Sequence, residues 1–505
     1  MRDVEARVGG PADVDADVAA LVVPGDPELP DAAARVDDEW LGGALSRRIR
    51  EEGFRGEASE TCFFPTSGDR PHVLAVGLGE GDERLSAAER LRRAAGTTVR
   101  AARDERAASV AFLPDPTLAA DAGESGAAAS AEGLVLGDWA LESFLGEEAR
   151  SERPPPPSRV TLVWPEGVGP RPEAVADAVR RGRIVAEAQN DARELVAGPP
   201  NVVTPRHLAR RALEMGDEHG LSVETWGPDR LREEGFGALL AVARGSEQEP
   251  RFIVLEHEGG SADARPYVVA GKGVTFDSGG ISLKPSKGME DMKFDMGGAA
   301  AVLGALRAAA DLDLPRRVVG LVPSAENLPS GTALKPSDVI RGVSGTSIEV
   351  VNTDAEGRLL LSDALSWARR ELDPRAMVDL ATLTGGCVVA LGHEAAGLMA
   401  NDDSLAGRLT GAGERTGEFT WRLPLWPPYR EALDSEIADI RNSAGKEASA
   451  ITAGWFLREF VGDEVPWVHL DIAGTAWTEE DRPYHRKGPT GFGVRLVVEW
   501  LRSEA

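Results

Sequence analysis

Residues 267–300 read YVVAGKGVTFDSGGISLKPSKGMEDMKFDMGGAA, a strand-like run that passes through a polar loop into a helix-like run. The first four residues are apolar and favour a strand, and a helical pattern of small apolar residues covers 297–310. A strand followed by a helix is typical of an α/β fold with a parallel sheet. The polar side chains between them lie where such folds usually bind ligands: Lys272, Asp277, Lys284 and Asp295.

The same alternation extends through the C-terminal part of the chain. Apolar runs predict strands at 251–256, 267–270, 318–322, 347–351, 377–380 and 467–472. Helical patterns fall between them at 297–310, 359–371 and 451–461. Because the strands are almost continuously apolar, we expect one central sheet that helices cover on both faces.

The N-terminal part shows an independent α/β pattern. Strands are predicted at 20–23, 72–77, 110–113 and 159–164, and helices at 87–103 and 173–196. After the strand at 72–77 comes GLGEGDE, in which Asp82 takes the third glycine position of a dinucleotide-binding fingerprint, so we expect a surface turn. At 505 residues the chain exceeds one typical core. We predict two domains, each with a mainly parallel central sheet flanked by helices: an N-terminal domain at 1–170, a linking helix at 171–197 and a C-terminal domain at 198–505.

Composition excludes several classes of partner. The chain has 56 basic and 83 acidic residues and a net charge of −27, which repels phosphate backbones and anionic lipids, so nucleic acid is not expected as the main partner. Apolar runs fall short of the roughly 20 residues of a membrane-spanning helix. The acidic N-terminus lacks the pattern of a secretory signal, so we expect a cytoplasmic protein without a membrane span. Cys62 and Cys387 are not spaced like metal ligands.

A second polar motif, VVNTDAEGRLLLSDAL at 350–365, also follows a predicted strand and leads into a predicted helix. Residues two apart in an extended stretch point to the same side, so Asp354 and Glu356 converge. Together with Asp277 and Asp295 they make four carboxylates, which would repel one another unless cations neutralise them. Two divalent ions would balance the charge, and hard oxygen ligands suit magnesium, manganese or zinc. None of the seven histidines lies in either motif, so each is expected to be structural or exposed, and a phosphoesterase that mixes histidine with carboxylate is disfavoured.

Lysine usage supplies a further signal. Seven of the 56 basic residues are lysines, which leaves forty-nine arginines, and four of the seven lysines lie between 272 and 293. One interpretation is that lysine is kept where a permanently charged guanidinium cannot serve. The alternative is that the cluster reflects chance or local solubility.

These motifs carry a resemblance to a known family. GKGVTFDSGG, DMGGAA and NTDAEGRLLLSDAL resemble the signatures of the leucyl aminopeptidases, metallopeptidases of the cytosol. The resemblance continues through ATLTGG at 381–386, ITAGWFLREF at 451–460 and WVHLDIAGTAW at 467–477, and it covers residues 190–505. One departure lies outside the motifs, at Gly198, where family members often carry asparagine.

The resemblance implies a catalytic C-terminal domain with two divalent ions, manganese or zinc. Lys272, Asp277, Asp295 and Glu356 would bind the tighter ion; Asp277, Asp354 and Glu356 would bind the more exchangeable one. Lys284 would help to hold the substrate carbonyl oxygen, and Arg358 would anchor a bicarbonate that serves as general base. Within the motifs Glu290 is the nearest unassigned glutamate, and a solvated loop position is favoured for it over a role as base.

The implied reaction is removal of the N-terminal residue, preferably leucine or another apolar residue, from peptides with a free α-amine by a metal-bridged hydroxide. The resemblance places five residues around the pocket for the first side chain, although core packing is an alternative for each: Met292, Thr382, Leu383, Gly385 and Ala473. It also implies a homohexamer. Two rival hypotheses are a DNA-binding or regulatory family member with secondary peptidase activity, and an inactive relative.

Overall fold

The computed structural model describes residues 4–25, 29–51, 53–260 and 264–504. The chain divides into two compact units. The first consists of Met1–Asn190 with the short segments Glu414–Gly417 and Glu479–Lys487, and the second consists of Asp191–Gly413, Glu418–Thr478 and Gly488–Ala505. No helix among the described residues is long and apolar enough to span a membrane.

The first unit is built on a six-stranded sheet with the strand order β1-β6-β5-β2-β4-β3. Every neighbouring pair is parallel except β3 and β4. The strands are β1 Val4–Gly9, β2 Val18–Val23, β3 Thr61–Phe64, β4 His72–Gly77, β5 Ser109–Leu113 and β6 Arg159–Pro165. The GLGEGDE segment at the end of β4 continues as an irregular loop, with a bend at Glu80 and a turn that begins at Glu83.

Helices cover both faces of this sheet. The helices are α1 Asp31–Val36, α2 Ala44–Arg50, α3 Ala87–Asp104, α4 Pro116–Asp138, α5 Glu147–Glu152 and α6 Pro172–Ala197, the last of which ends in the second unit. Alternate residues of β2 enter different cores, because successive side chains of a strand point to opposite faces. Ala20 packs in a core with Leu91 of α3, whereas Leu21 packs with Val36 of α1.

The second unit is built on a nine-stranded sheet with the order β16-β15-β18-β14-β9-β11-β8-β7, in which β10 also pairs with β11. Its strands and those of two smaller sheets are β7 Ser222–Trp226, β8 Arg251–Glu258, β9 Tyr267–Gly271, β10 Gly273–Asp277, β11 Arg317–Asn327, β12 Val339–Arg341, β13 Ser347–Glu349, β14 Ala376–Ala381, β15 Ala396–Ala400, β16 Thr420–Arg422, β17 Ile440–Arg441, β18 Trp467–Asp471, β19 Trp477–Thr478 and β20 Gly488–Pro489. The central strands β18, β14, β9 and β11 run parallel, and their carboxyl ends therefore share one edge.

The central strands of the second unit are buried on both faces, as their apolar sequences predict. Its helices are α7 Pro205–His219, α8 Pro228–Glu233, α9 Gly237–Ala243, α10 Gly297–Asp311, α11 Gly357–Leu372, α12 Gly385–Leu391, α13 Asp403–Thr416, α14 Pro427–Glu431, α15 Ser449–Val461 and α16 Val494–Ser503, of which α13 ends in the first unit. Val268 and Ala270 of β9 pack in a core with Leu361 of α11, whereas α10 packs against β9, β11 and β14. The predicted α/β class, with two units that each contain a mainly parallel sheet flanked by helices, is confirmed.

The glycines of the DMGGAA motif allow α10 to begin against the sheet. A Cβ atom added to Gly298 would lie 2.0 Å from the carbonyl oxygen of Leu380 in β14. No side chain fits at that separation, so the motif is explained by the close approach of two backbones.

The strand predicted at 347–351 does not belong to the central sheet, so the expectation that both polar motifs follow central strands is wrong for the second motif. Residues Ser347–Glu349 form β13, which pairs with β12 and β17 in a separate three-stranded sheet. Strand β12 has three residues and β17 has two, so both are too short to give a periodic signal in the sequence. The second motif therefore approaches the central sheet from a neighbouring small sheet.

Candidate metal centre

Lys272 lies at the break between β9 and β10, where the chain leaves the middle of the sheet. Its side chain is buried, and its Nζ atom lies 2.8 Å from Asp295 Oδ2 and 2.8 Å from Glu356 Oε1. Nζ also donates a hydrogen bond of 3.0 Å to the carbonyl oxygen of Thr382, which follows β14. The lysine thus joins both polar motifs at the carboxyl edge of the central strands.

Asp277 is the last residue of β10 and is held by backbone and side-chain donors. Its Oδ1 atom accepts hydrogen bonds of 2.8 Å from Gly279 N and 2.8 Å from Asn327 Nδ2. Asn327 ends the adjacent strand β11, so the sheet itself orients the carboxylate. The other oxygen, Oδ2, lies 2.7 Å from Lys284 Nζ.

The remaining three carboxylates come from the segments before α10 and α11. Asp295 follows a turn of 3-10 helix over Met289–Phe294, and its Oδ1 atom accepts a hydrogen bond of 2.7 Å from Thr382 Oγ1. Glu356 is the residue before the first turn of α11 and is fully buried. Asp354, two residues earlier, lies 2.5 Å from Lys284 Nζ and has a side chain that is 33% exposed.

The donor set fits divalent cations. Asp277, Asp354 and Glu356 each offer a carboxylate oxygen, and these atoms lie within 4.8 Å of one another. Within this centre, three buried carboxylate oxygens have no hydrogen-bond partner among the described residues: Asp295 Oδ2, Asp354 Oδ1 and Glu356 Oε2. Two of these oxygens, Asp295 Oδ2 and Asp354 Oδ1, lie close to a lysine ammonium, but the contact does not have the geometry of a hydrogen bond. A buried carboxylate oxygen without a donor is costly, and a hard cation would satisfy it.

Burial and charge oppose each other at these groups. Burial alone would lower the pKa of Lys272, but Asp295 and Glu356 outweigh it and raise that pKa above its ordinary value. Burial likewise disfavours the charged form of Lys284, yet Asp277 and Glu356 raise its pKa. Burial raises the pKa of Asp295, and Lys272 opposes that shift. Within the protein alone, two ammonium groups therefore offset part of the charge of four carboxylates.

Arg358 is buried in the first turn of α11 and donates a hydrogen bond of 2.9 Å to the carbonyl oxygen of Asn442. Burial lowers its pKa to about 10, although Glu356 and Asp471 oppose that shift. Its Nε atom is buried and has no hydrogen-bond partner among the described residues. The guanidinium thus retains an unused donor beside the carboxylates.

A cleft of about 940 Å³ opens over this centre. It is lined by all five residues predicted for the first side chain of a peptide: Met292, Thr382, Leu383, Gly385 and Ala473. It is also lined by the predicted metal and catalytic residues other than the buried Glu356: Lys272, Asp277, Lys284, Asp295, Asp354 and Arg358. The exposed Glu290 does not line it. The structure therefore brings every residue of the predicted site together at one edge of the sheet.

Asp471 organises one wall of the cleft and is absent from the sequence prediction. Its Oδ1 atom accepts hydrogen bonds of 3.2 Å from Leu383 N and 3.2 Å from Ala473 N. Its Oδ2 atom accepts one of 2.6 Å from Thr384 Oγ1. The sequence signal that could identify Asp471 is a polar residue at the end of an apolar strand. The same signal applies to Asn327. Asn442 is the third residue that the sequence prediction omits, and it lies in a loop without such a signal.

Two of the seven histidines take clearly structural positions. His469 is fully buried, and its Nδ1 atom lies 2.6 Å from Asp379 Oδ1. His257 donates a hydrogen bond of 2.8 Å to the carbonyl oxygen of Leu314. Within the described chain no histidine lines the cleft, so the proposed ligand set stays one of carboxylates and lysine.

Comparisons with known proteins identify the family to which this chain is similar. The family model described as cytosol aminopeptidase family, catalytic domain, matches residues 190–498, and the model of that family's N-terminal domain matches residues 20–147. A probable cytosol aminopeptidase of Geotalea uraniireducens (strain Rf4) is 46% identical over 469 residues, which cover 92% of each chain. One of Geobacter sp. (strain M21) is 47% identical over 470 residues, which cover 92% of this chain and 93% of the relative.

Solved structures show the same similarity over nearly the whole length. The bottromycin maturation enzyme BotP in complex with Mn has a TM-score of 0.83 and 36% identity, with 97% of this chain and 99% of that chain covered. A mutant of tomato leucine aminopeptidase has a TM-score of 0.88 and 32% identity, with 100% and 97% covered. The chain belongs to the cytosol aminopeptidase family, whose members are metal-dependent exopeptidases.

Proposed function

We propose that this chain is a two-metal aminopeptidase that removes leucine and similar apolar residues from the free N-terminus of peptides. The observation that carries the proposal is the convergence of oxygens from Asp277, Asp354 and Glu356 within 4.8 Å of one another, at a cleft that Asp277 and Asp354 line. The proposed ligands are Lys272, Asp277, Asp295, Asp354 and Glu356, within a catalytic domain at 198–505.

The proposed division of ligands follows burial. Lys272, Asp277, Asp295 and Glu356 are all buried and would hold the tighter ion, whereas the partly exposed Asp354 would complete a second, more exchangeable site with Asp277 and Glu356. Two bound ions would supply Lewis acidity and lower the pKa of water at the site. Manganese is supported by the BotP structure in complex with Mn, and zinc is the alternative.

Lys284 would stabilise negative charge that develops on the carbonyl oxygen of the substrate. Its side chain is 21% exposed, so it reaches the cleft while it remains ion-paired to Asp277 and Asp354. A charged donor placed before the reaction begins needs no reorganisation when the transition state forms.

Arg358 would hold an anion, which we propose to be bicarbonate acting as general base. Support comes from its position on the cleft and from the Nε donor that lacks a partner among the described residues. The carboxylates that line the cleft are all assigned to metal binding, so a base must come from outside this set.

Substrate selection would follow from the wall of the cleft. Met292, Leu383 and Ala473 present apolar surface, which suits a leucine-like side chain. Because the free α-amine is the proposed metal ligand of the substrate, peptides are cut from the end and not internally.

By resemblance to the family we also propose a homohexamer in the cytoplasm. The net charge of −27 disfavours the DNA-binding alternative.

The test combines metal dependence with end specificity. Chelation should abolish hydrolysis of leucine p-nitroanilide, and added Mn²⁺ or Zn²⁺ should restore it. N-acetyl-leucine p-nitroanilide should remain uncut by the metal-loaded enzyme, since its blocked amine cannot bind a cation. Unchanged turnover in protein shown to be metal-free would refute the two-metal assignment, and efficient cleavage of the acetylated substrate would refute the amine's role.

A further inference from the structure

One charged residue on the wall of the cleft makes no ion pair or hydrogen bond with the part of the chain that the structure describes. The charged residues that line the cleft are Lys272, Asp277, Lys284, Asp295, Asp354, Arg358 and Lys446. The first six make the ion pairs and hydrogen bonds described above. Lys446 makes neither with any described residue, and its neighbour Glu447 does not line the cleft. The ammonium of Lys446 is therefore available to a ligand in the cleft.

The loop that carries Lys446 is fixed to the metal-binding segment. At its base, the buried side chain of Asn442 accepts a hydrogen bond of 2.9 Å from Val351 N and donates one of 2.7 Å to the carbonyl oxygen of Asn352. At its other end, Ser449 packs so tightly on α12 that a Cβ atom at Gly386 would lie 2.1 Å from Ser449 Oγ. Both ends of the loop that carries Lys446 are thus held in place, one against the metal-binding segment and the other against α12.

The shape of the loop also depends on unusual backbone angles. Gly445 has φ of 94° and Ala448 has φ of 49°, both in the left-handed region. A non-glycine residue is held in that region only when the surrounding structure determines it. Both residues line the cleft with Lys446, so this turn is part of the wall.

We propose that Lys446 binds a carboxylate of the substrate on the C-terminal side of the bond that is cut. The inference rests on the proposed aminopeptidase function. At about 940 Å³ the cleft lies near the upper end of the roughly 300–1,000 Å³ of small-ligand sites, so it accommodates residues beyond the first. The α-amine end of the peptide lies at the carboxylate cluster, and the opposite charge of a short peptide is its terminal carboxylate. Lys446 supplies the matching positive charge.

Lysine suits this task better than arginine. Its ammonium is a point charge on a flexible stem, whereas a guanidinium requires a fixed planar geometry. A flexible charge tolerates a carboxylate whose position changes between dipeptides and tripeptides. In a chain with a net charge of −27, a local positive group also counters the repulsion that an anionic peptide end would experience.

The experiment compares kcat/KM for Leu-Gly-Gly, for Leu-Gly-Gly amide and for Leu-Gly-Glu amide. The wild-type enzyme should favour the free carboxylate over the plain amide by about two- to fivefold, the range of an exposed ion pair, mainly through KM. Lys446→Ala should bring this ratio to one, and Lys446→Arg should keep most of it. A preference for Leu-Gly-Glu amide over Leu-Gly-Gly amide that is lost in Lys446→Ala would show that an acidic side chain can supply the same carboxylate.

The matched control is Lys335→Ala, which removes an exposed lysine that pairs with Asp338 and does not line the cleft. It should leave the ratio unchanged. Equal rates on the acid and amide tripeptides in wild type, or an unchanged ratio in Lys446→Ala, would overturn the inference about Lys446. Failure of the wild-type enzyme to cut any of the three peptides would instead overturn the proposed aminopeptidase function.

Discussion

Lys272 shows how one side chain can serve two charge states at the same position. Without cations its ammonium pairs with Asp295 and Glu356 at 2.8 Å each, so that the buried carboxylates are partly neutralised. As a metal ligand the amine must lose its proton, because only the neutral form has a lone pair to donate. A primary amine can take both forms, whereas a guanidinium cannot.

We therefore predict that Lys272→Arg is nearly as damaging to activity as Lys272→Ala. Arginine keeps a proton, with a pKa above about 12, and would place a fixed positive charge beside the ions. Loss of residues that merely support ligands costs about ten- to a hundredfold in metal affinity or activity, so loss of a ligand should exceed about a hundredfold. The measurement is metal stoichiometry and turnover of the purified, folded variants.

Lys335→Arg serves as the conservative control for this comparison, since Lys335 is 61% exposed in an ordinary ion pair with Asp338. It should retain full metal content and turnover. If Lys272→Arg also kept both, Lys272 would be an ion-pair residue, and the tight site would need a different ligand.

At the level of the element, the first residue of α11 packs closely against the side chain of Lys272. A Cβ atom at Gly357, the first residue of α11, would lie 2.6 Å from Lys272 Cε and 2.8 Å from Lys272 Nζ. The lysine has little freedom to move aside, because its Nζ atom is held by two carboxylates and a carbonyl oxygen. The small residue at this position therefore reflects packing and not helix propensity.

We expect Gly357→Ala to lower turnover by about a hundredfold, the effect of displacing a catalytic group by roughly 1 Å. The matched control is Gly407→Ala in α13, where an added Cβ atom meets nothing within 4 Å beyond the neighbouring backbone of its own helix. That change should stabilise the protein by about 0.5–1 kcal/mol and leave turnover unchanged, because alanine is the better helix former. Melting temperature and kcat of both variants give the comparison, and normal activity in Gly357→Ala would contradict it.

The elements that sequence predicts best are those whose residues are buried on both faces. All residues of β14 are buried, and its apolar run is visible without any partner. Sequence alone places the strand at 347–351 in the wrong sheet, because its partner β17 has only two residues and carries no periodicity. Asn442 escapes prediction for a related reason, since its contacts to Asn352 and Arg358 join segments about 90 residues apart. Long-range hydrogen bonds leave no local pattern.

At the level of the whole molecule, the two units should respond differently to cations. All proposed ligands lie in the second unit, and ligand that binds only the folded state stabilises it. At a thousandfold excess over Kd this linkage is about 4 kcal/mol per site. With about 2–4 °C per kcal/mol for a domain of roughly 150–250 residues, chelation should lower one thermal transition by roughly 8–16 °C for each site that it empties.

Scanning calorimetry of the intact chain with and without EDTA measures this shift, and Lys272→Arg should shift much less than wild type. The transition of the first unit should stay in place. Equal shifts of every transition, or an undiminished shift in Lys272→Arg, would contradict the placement of both ions in the second unit.

The strand order of the nine-stranded sheet also has a consequence for biosynthesis. Strand β9 lies in the middle of the sheet, yet its neighbour β14 begins at Ala376, about 100 residues further along the chain. At translation rates of roughly 5–20 residues per second, the ribosome needs about 5–20 seconds to deliver it. Throughout that interval the nascent chain presents unpaired backbone N–H and C=O groups along the apolar strand β9, the kind of edge that recruits other chains. Chaperone demand should therefore concentrate on this interval, before the pairing that joins β9 to β14 is complete.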